Sequence, residues 1–128
     1  MFAGRLILES LRPGTDIHTP GLRIDRIFRV PVEGTTANQP NVWSMIDVRG
    51  PADEADRFAR QLSAGLEESN HWYADLRVGD DHVVIFPGRI FRYRTGDPTG
   101  HAQAVAYGLE LGIPAPQLDW GEVDDSVD

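Results

Sequence analysis

His71-Trp72-Tyr73-Ala74-Asp75-Leu76-Arg77-Val78-Gly79-Asp80-Asp81-His82-Val83-Val84-Ile85-Phe86-Pro87-Gly88-Arg89-Ile90-Phe91-Arg92-Tyr93 decides how this chain folds. It reads as three short strands joined by tight turns at Gly79-Asp80-Asp81 and Pro87-Gly88. With Pro87-Gly88 as a two-residue loop, Phe86 pairs with Arg89, Val84 with Phe91 and His82 with Tyr93. One face then carries His82, Val84, Phe86, Arg89, Phe91 and Tyr93; the other carries Val83, Ile85, Ile90, Arg92 and Arg94. Neither face is polar, so both need covering, at least in part.

Upstream of this meander the pattern predicts three more strands and a helix. Residues 2–11 alternate, with Phe2, Leu6 and Leu8 on one face and Arg5, Ile7 and Glu9 on the other. Residues 22–32 set Leu22, Ile24, Phe28, Val30 and Val32 on one face, with Arg26 as an intruder. A sheet margin, where its stem can snorkel, accommodates Arg26 better than a buried acid would. A polar loop over 33–41 leads to a strand over 42–49 that is apolar on both faces, as a central strand would be. Gly50-Pro51 opens a helix whose core stripe is Ala55, Phe58, Ala59, Leu62 and Leu66.

Downstream, Asp97 is an N-cap, Pro98 fits the first helical position and Gly112 fits a left-handed C-terminal cap. Ala102, Val105, Ala106 and Leu109 are the expected core stripe of this second helix, with small residues permitting close approach to a sheet. The order is βββαβββα. The fold class expected is α+β: a largely antiparallel sheet of about six strands with two helices packed on one face. Two helices on one face would leave the other to be covered by a homodimer. Residues 1–118 form a single domain, and 119–128 an acidic, mobile tail.

The chain has 128 residues, no cysteine, and a formal net charge of −8 in which all 12 basic residues are arginine. That size buries a core without staples, and disulfides, thiolate metal sites and cysteine nucleophiles are excluded. The acidic balance opposes nucleic-acid and anionic-membrane binding. It favours a basic protein partner, or a small anionic ligand held in a local arginine pocket. The first twelve residues lack the apolar block of a signal peptide, and no run approaches the length of a membrane-spanning helix, so the expected location is cytoplasmic.

Several clusters bear on chemistry. His71, Tyr73 and Asp75 alternate onto one strand face, and a histidine, a phenol and a carboxylate together can do general acid–base work. Arg92 and Arg94, with His101 near in sequence, are ligand-binding candidates for a carboxylate or phosphate, although salt bridges to the many acids are the more ordinary use. Trp43, Trp72 and Trp120 are core or interface anchors. His18, His71, His82 and His101 show no metal-ligand spacing, so neither metal nor cofactor is expected. Ser44 and Ser63 lack a nucleophile-elbow setting.

The string Val83 to Tyr93, followed by Gly96-Asp97, Ala104 to Pro114 and Gln117-Leu118-Asp119-Trp120, resembles a group of small uncharacterised bacterial proteins. The resemblance spans roughly the C-terminal half and implies no activity, cofactor or catalytic residue. The expectation is therefore a cytoplasmic, non-catalytic binding or regulatory module, homodimeric, with an immunity- or antitoxin-like role as one example. The alternative is a small hydrolase- or isomerase-class enzyme with a pocket between sheet and helices.

Overall fold

The computed structural model of the chain describes residues 1–36, 39–69 and 71–120. Its elements follow the expected order: β1 (Phe2–Ile7), β2 (Arg23–Pro31), β3 (Val42–Gly50), α1 (Ala55–Gly65), β4 (Ala74–Val78), β5 (Asp81–Phe86), β6 (Arg89–Arg94) and α2 (Pro98–Glu110). The strands form one six-stranded sheet in the order β2-β3-β1-β4-β5-β6. Every neighbouring pair is antiparallel, so the α+β class with an antiparallel sheet holds. β1 lies inside the sheet and joins the β2-β3 half to the meander.

The meander has the register its turns dictate, with Phe86 opposite Arg89, Val84 opposite Phe91 and His82 opposite Tyr93. Gly88 has φ 74°, the positive value a Pro-Gly turn demands at its second central residue. Alternation along β5 then buries side chains on both faces. Val83 and Ile85 join Phe2, Leu6 and Leu76 against Phe58, Ala59 and Leu62 of α1. Val84 and Phe86 join Tyr93 against Ala104 of α2, with Ile113, Leu118 and Trp120.

The two helices therefore lie on opposite faces of the sheet, not on one. The reason is in the meander: with both faces apolar, each needs its own cover. The case for a dimer that rested on a wholly uncovered face goes with it.

Three local expectations also shift. The first strand ends at Ile7, and a 3₁₀ turn over Leu8–Ser10 takes Leu8 off the buried face into solvent. β2 carries a bulge between Ile24 and Arg26, which moves Ile24 onto the α1 side with Ile27 and leaves Arg26, Phe28 and Val30 on the other. β2 is an edge strand, and Arg26 is exposed there with its guanidinium 3.9 Å from the Phe28 ring centre, as a sheet-margin position allows. In α2 the buried positions are Ala104 and Gly108, whereas Ala102, Ala106 and Leu109 face solvent.

The ends of α2 are built as its sequence specifies. The Asp97 carboxylate accepts from the Thr99 N–H at 3.0 Å. At the other end, Ile113 N–H donates to the Gly108 carbonyl at 3.1 Å and Gly112 N–H to Leu109 at 3.0 Å, the paired bonds of a Schellman cap. The chain remains packed through Trp120, which is buried. The acidic segment 121–128 lies outside the described residues. Because α2 covers only the β4-β6 half of its face, the β2-β3-β1 half of that face stays open, and the candidate site lies there.

Candidate functional site

Alternation determines which side chains reach this open half-face. Arg5 and Ile7 of β1 pair with Asp47 and Met45 of β3, and all four point to the side opposite α1. Trp43 lies two residues before Met45, and Asp75 of β4 continues the floor toward α2. The chain entering β4 (His71, Trp72 and Tyr73) forms one wall. Pro116, Gln117 and Asp119, next to a 3₁₀ turn over Ala115–Gln117, form another, and Val32 and Glu33 close the edge. The result is a trough of about 460 Å³.

Two glutamines hold its walls together. Gln117 Nε2 donates to the Gly34 carbonyl at 2.8 Å and to Gln39 Oε1 at 3.0 Å. Gln39, itself buried, also accepts from the Thr36 N–H at 3.1 Å and donates to the His71 carbonyl at 3.4 Å. Tyr73 donates its hydroxyl to the Gln117 carbonyl at 2.6 Å. Gly34 and Gln39 of the polar loop thus tie the turn after α2 to the start of β4. His71 sits at this junction with φ 63°, a left-handed conformation unusual for a side-chain-bearing residue, and its ring packs against Gly112.

The floor is ordered by ion pairs. Arg5 grips Asp47 through Nε at 2.6 Å and its terminal nitrogen at 3.1 Å, and its guanidinium lies 5.0 Å from the Phe28 ring centre. Asp75 Oδ2 lies 3.2 Å from Nε2 of His82, a side chain that is only 1% exposed beneath α2. Burial, and then the charges of Asp75 and Asp119, push the Tyr73 phenol well above its ordinary value. Burial, and then Asp75, also raise the Asp119 carboxyl, although its own backbone N–H works the other way. Carboxylate potential therefore converges on Tyr73.

Of the residues singled out in the sequence, His71, Tyr73 and Asp75 all line the trough, but no hydrogen bond joins the three side chains. Arg92, Arg94 and His101 do not converge. Arg92 lies on the α1 side, paired with Asp81 at 2.9 Å and Asp56 at 3.4 Å, and Arg94 reaches Asp80 at 3.8 Å. His101 belongs to the first turn of α2, half-buried, with its Nδ1 3.3 Å from the Tyr93 hydroxyl. Trp72 and Trp120 are buried inside the fold; the Trp120 indole donates to Tyr93 at 2.7 Å. Trp43 is partly exposed and meets Trp72 edge-on at 5.2 Å.

Gln39, Gln117, Asp119 and the Asp75–His82 contact escaped the sequence reading. Only the last had a signal: residues 75 and 82 become diagonal same-face neighbours once the β4–β5 register is written out. Among the described residues, no group of three His, Asp or Glu side chains is placed to hold a metal ion, and no helix is long and apolar enough to cross a membrane. Compared with protein-family models, curated proteins and solved structures, the chain matches none.

Proposed function

We propose that this chain is a small, non-catalytic, cytoplasmic binding module that takes its ligand in the trough. The observation that carries this reading is how the trough's polar groups are used. Tyr73 is bonded to Gln117, Asp75 contacts His82, and Arg5 is bonded to Asp47. An acid–base site needs its groups within reach of one another or of a substrate proton, at a pKa near the working pH. Here a phenol pushed up by burial and anchored to a carbonyl serves the scaffold, so the enzyme alternative has weaker support. What remains for a ligand is a concavity of mixed aromatic, apolar and acidic lining, of a size usual for small-ligand sites.

Backbone-amide shift mapping with small organic probes of positive, negative and zero charge tests this. At least one probe is expected to move resonances of Ile7, Val32, Trp43 and Tyr73, and Met45→Arg, which fills the floor, is expected to abolish the response. Perturbations confined to other surfaces, or none with any probe, would overturn the reading.

A homodimer is also proposed, through the α1-side face at the β2 edge. Ile24 and Ile27 there are 56% and 66% exposed, with Leu8 near Ile24 and Val42 farther along the same face. They adjoin a shallow apolar groove of about 220 Å³ that includes Leu11, Leu22 and Ile46. A twofold axis sets this patch against its own copy, which removes apolar surface from water. Light scattering is expected to give a dimer mass that falls to a monomer in Ile27→Glu. A wild-type monomer at high concentration would contradict it.

A further inference from the structure

Resting on the trough as the binding site, we propose that it accepts a cationic side chain, a guanidinium or alkylammonium group, carried next to a hydrogen-bond acceptor as in an arginine or lysine residue. Three features of the trough and one of its sheet face point to this chemistry.

The first is charge. Glu33, Asp75 and Asp119 line it, whereas its one lining arginine, Arg5, is held bidentate by Asp47. Asp119 forms no ion pair among the described residues; burial raises its carboxyl, Asp75 adds to this by a smaller amount, and a bound cation would offset both. The second is the wall. The Trp43 ring is partly exposed and set edge-on against Trp72, and an aromatic face is attractive to a cation. The third is precedent on the same sheet face, where Arg26 and Arg5 place guanidinium groups 3.9 Å and 5.0 Å from the Phe28 ring centre. The fourth is a donor. Trp72 lines the trough and is 3% exposed, and its indole N–H, closed to solvent in the unliganded chain, has no hydrogen-bond partner among the described residues.

An indole is a donor only, so a cation alone leaves that N–H unsatisfied. A basic residue within a peptide supplies both parts: its charged head reaches Asp119 and Glu33 along Trp43, and a backbone carbonyl meets the Trp72 N–H once a side-chain shift on binding opens it to the trough. The net charge of −8 steers such a ligand in from solution.

Calorimetry on the full chain tests this with N-acetyl-arginine amide, butylguanidinium, N-acetyl-glutamate amide and an arginine-centred blocked pentapeptide. The arginine amide is expected to bind, the glutamate amide not to. Asp119→Asn, at an exposed rim, is expected to weaken the arginine amide roughly tenfold, a loss typical of one charge-assisted contact. Trp72→Phe is expected to weaken the arginine amide but leave butylguanidinium unchanged. A pentapeptide that binds much more tightly than the amide supports the cation and identifies a protein partner; equal affinities support the cation and identify a free small molecule. Preference for the glutamate amide in the same trough overturns the cation but leaves the trough as a site. Failure of every probe overturns both.

Discussion

Two carboxylates of this chain are moved in opposite directions by their surroundings. Burial would raise Glu9, but it accepts from the Ser44 N–H at 2.7 Å and the Ser44 hydroxyl at 2.8 Å, with Arg29 nearby, and these outweigh burial to hold it below its ordinary value. A lowered folded value means stability that is present above the ordinary glutamate range and lost as pH falls through the folded value. Glu9→Gln is therefore expected to destabilise by less than about 1 kcal/mol at neutral pH, since the group is partly screened by solvent, with the difference vanishing in acid. Asp119 has the opposite sign. Its raised value means stability is greatest below the ordinary aspartate range and declines as pH rises through the folded value. Asp119→Asn is expected to stabilise the ligand-free chain slightly at neutral pH and not in acid. Urea unfolding of both variants and the parent at neutral and acid pH measures the two effects, and parallel curves at every pH would contradict them.

Among the elements, α2 is the most instructive. Its line facing the sheet is Gly100, half-buried, with Ala104 and Gly108, buried, spaced four residues apart, and it carries almost no hydrophobic signal. A search for apolar periodicity therefore finds Ala102, Val105, Ala106 and Leu109 instead, three of which the fold exposes. The line is chosen by what lies beneath it. A Cβ on Gly108 would come 2.7 Å from Leu118 Cδ2 and 3.4 Å from Phe86 Cε1, and one on Gly100 would strike the Tyr93 side chain.

Gly108→Ala is accordingly expected to destabilise by about 1–3 kcal/mol, as overpacking does, and to disturb the trough wall that follows Leu118. Ala106→Glu is expected to change stability by no more than about 0.5 kcal/mol. Denaturation midpoints decide it, and the reverse ranking would restore the face suggested by periodicity. The meander was legible because its Pro-Gly turn and β-branched run agree with its tertiary setting. The β2 bulge was not, since its one mark, Arg26 among apolar positions, is equally what a sheet margin allows.

For the whole molecule, function follows from an imbalance of cover. Six strands with one helix on each face leave half of the α2 face open, and Gly34 and Gln39, bonded to the turn after α2, make that half concave. His71, Trp72, Tyr73 and Asp75 were legible as part of a site because they are consecutive or alternate on one stretch. Gln39 and Gln117, 78 residues apart, and the rim carboxylate of Asp119 gain meaning only once the sheet and α2 bring the chain back on itself. Binding that depends on the rim acids is expected to weaken with added salt, because exposed charges are screened.

The three indole N–H groups report on this arrangement separately. Trp43 donates to the Pro40 carbonyl at 2.8 Å, Trp120 to Tyr93 at 2.7 Å, and Trp72 to no described residue. In a ¹⁵N–¹H spectrum titrated with N-acetyl-arginine amide, the Trp72 and Trp43 indole signals are expected to move together along one binding curve while Trp120 holds still. Stationary Trp72 and Trp43 signals, or movement of Trp120 alone, would contradict a ligand in the trough.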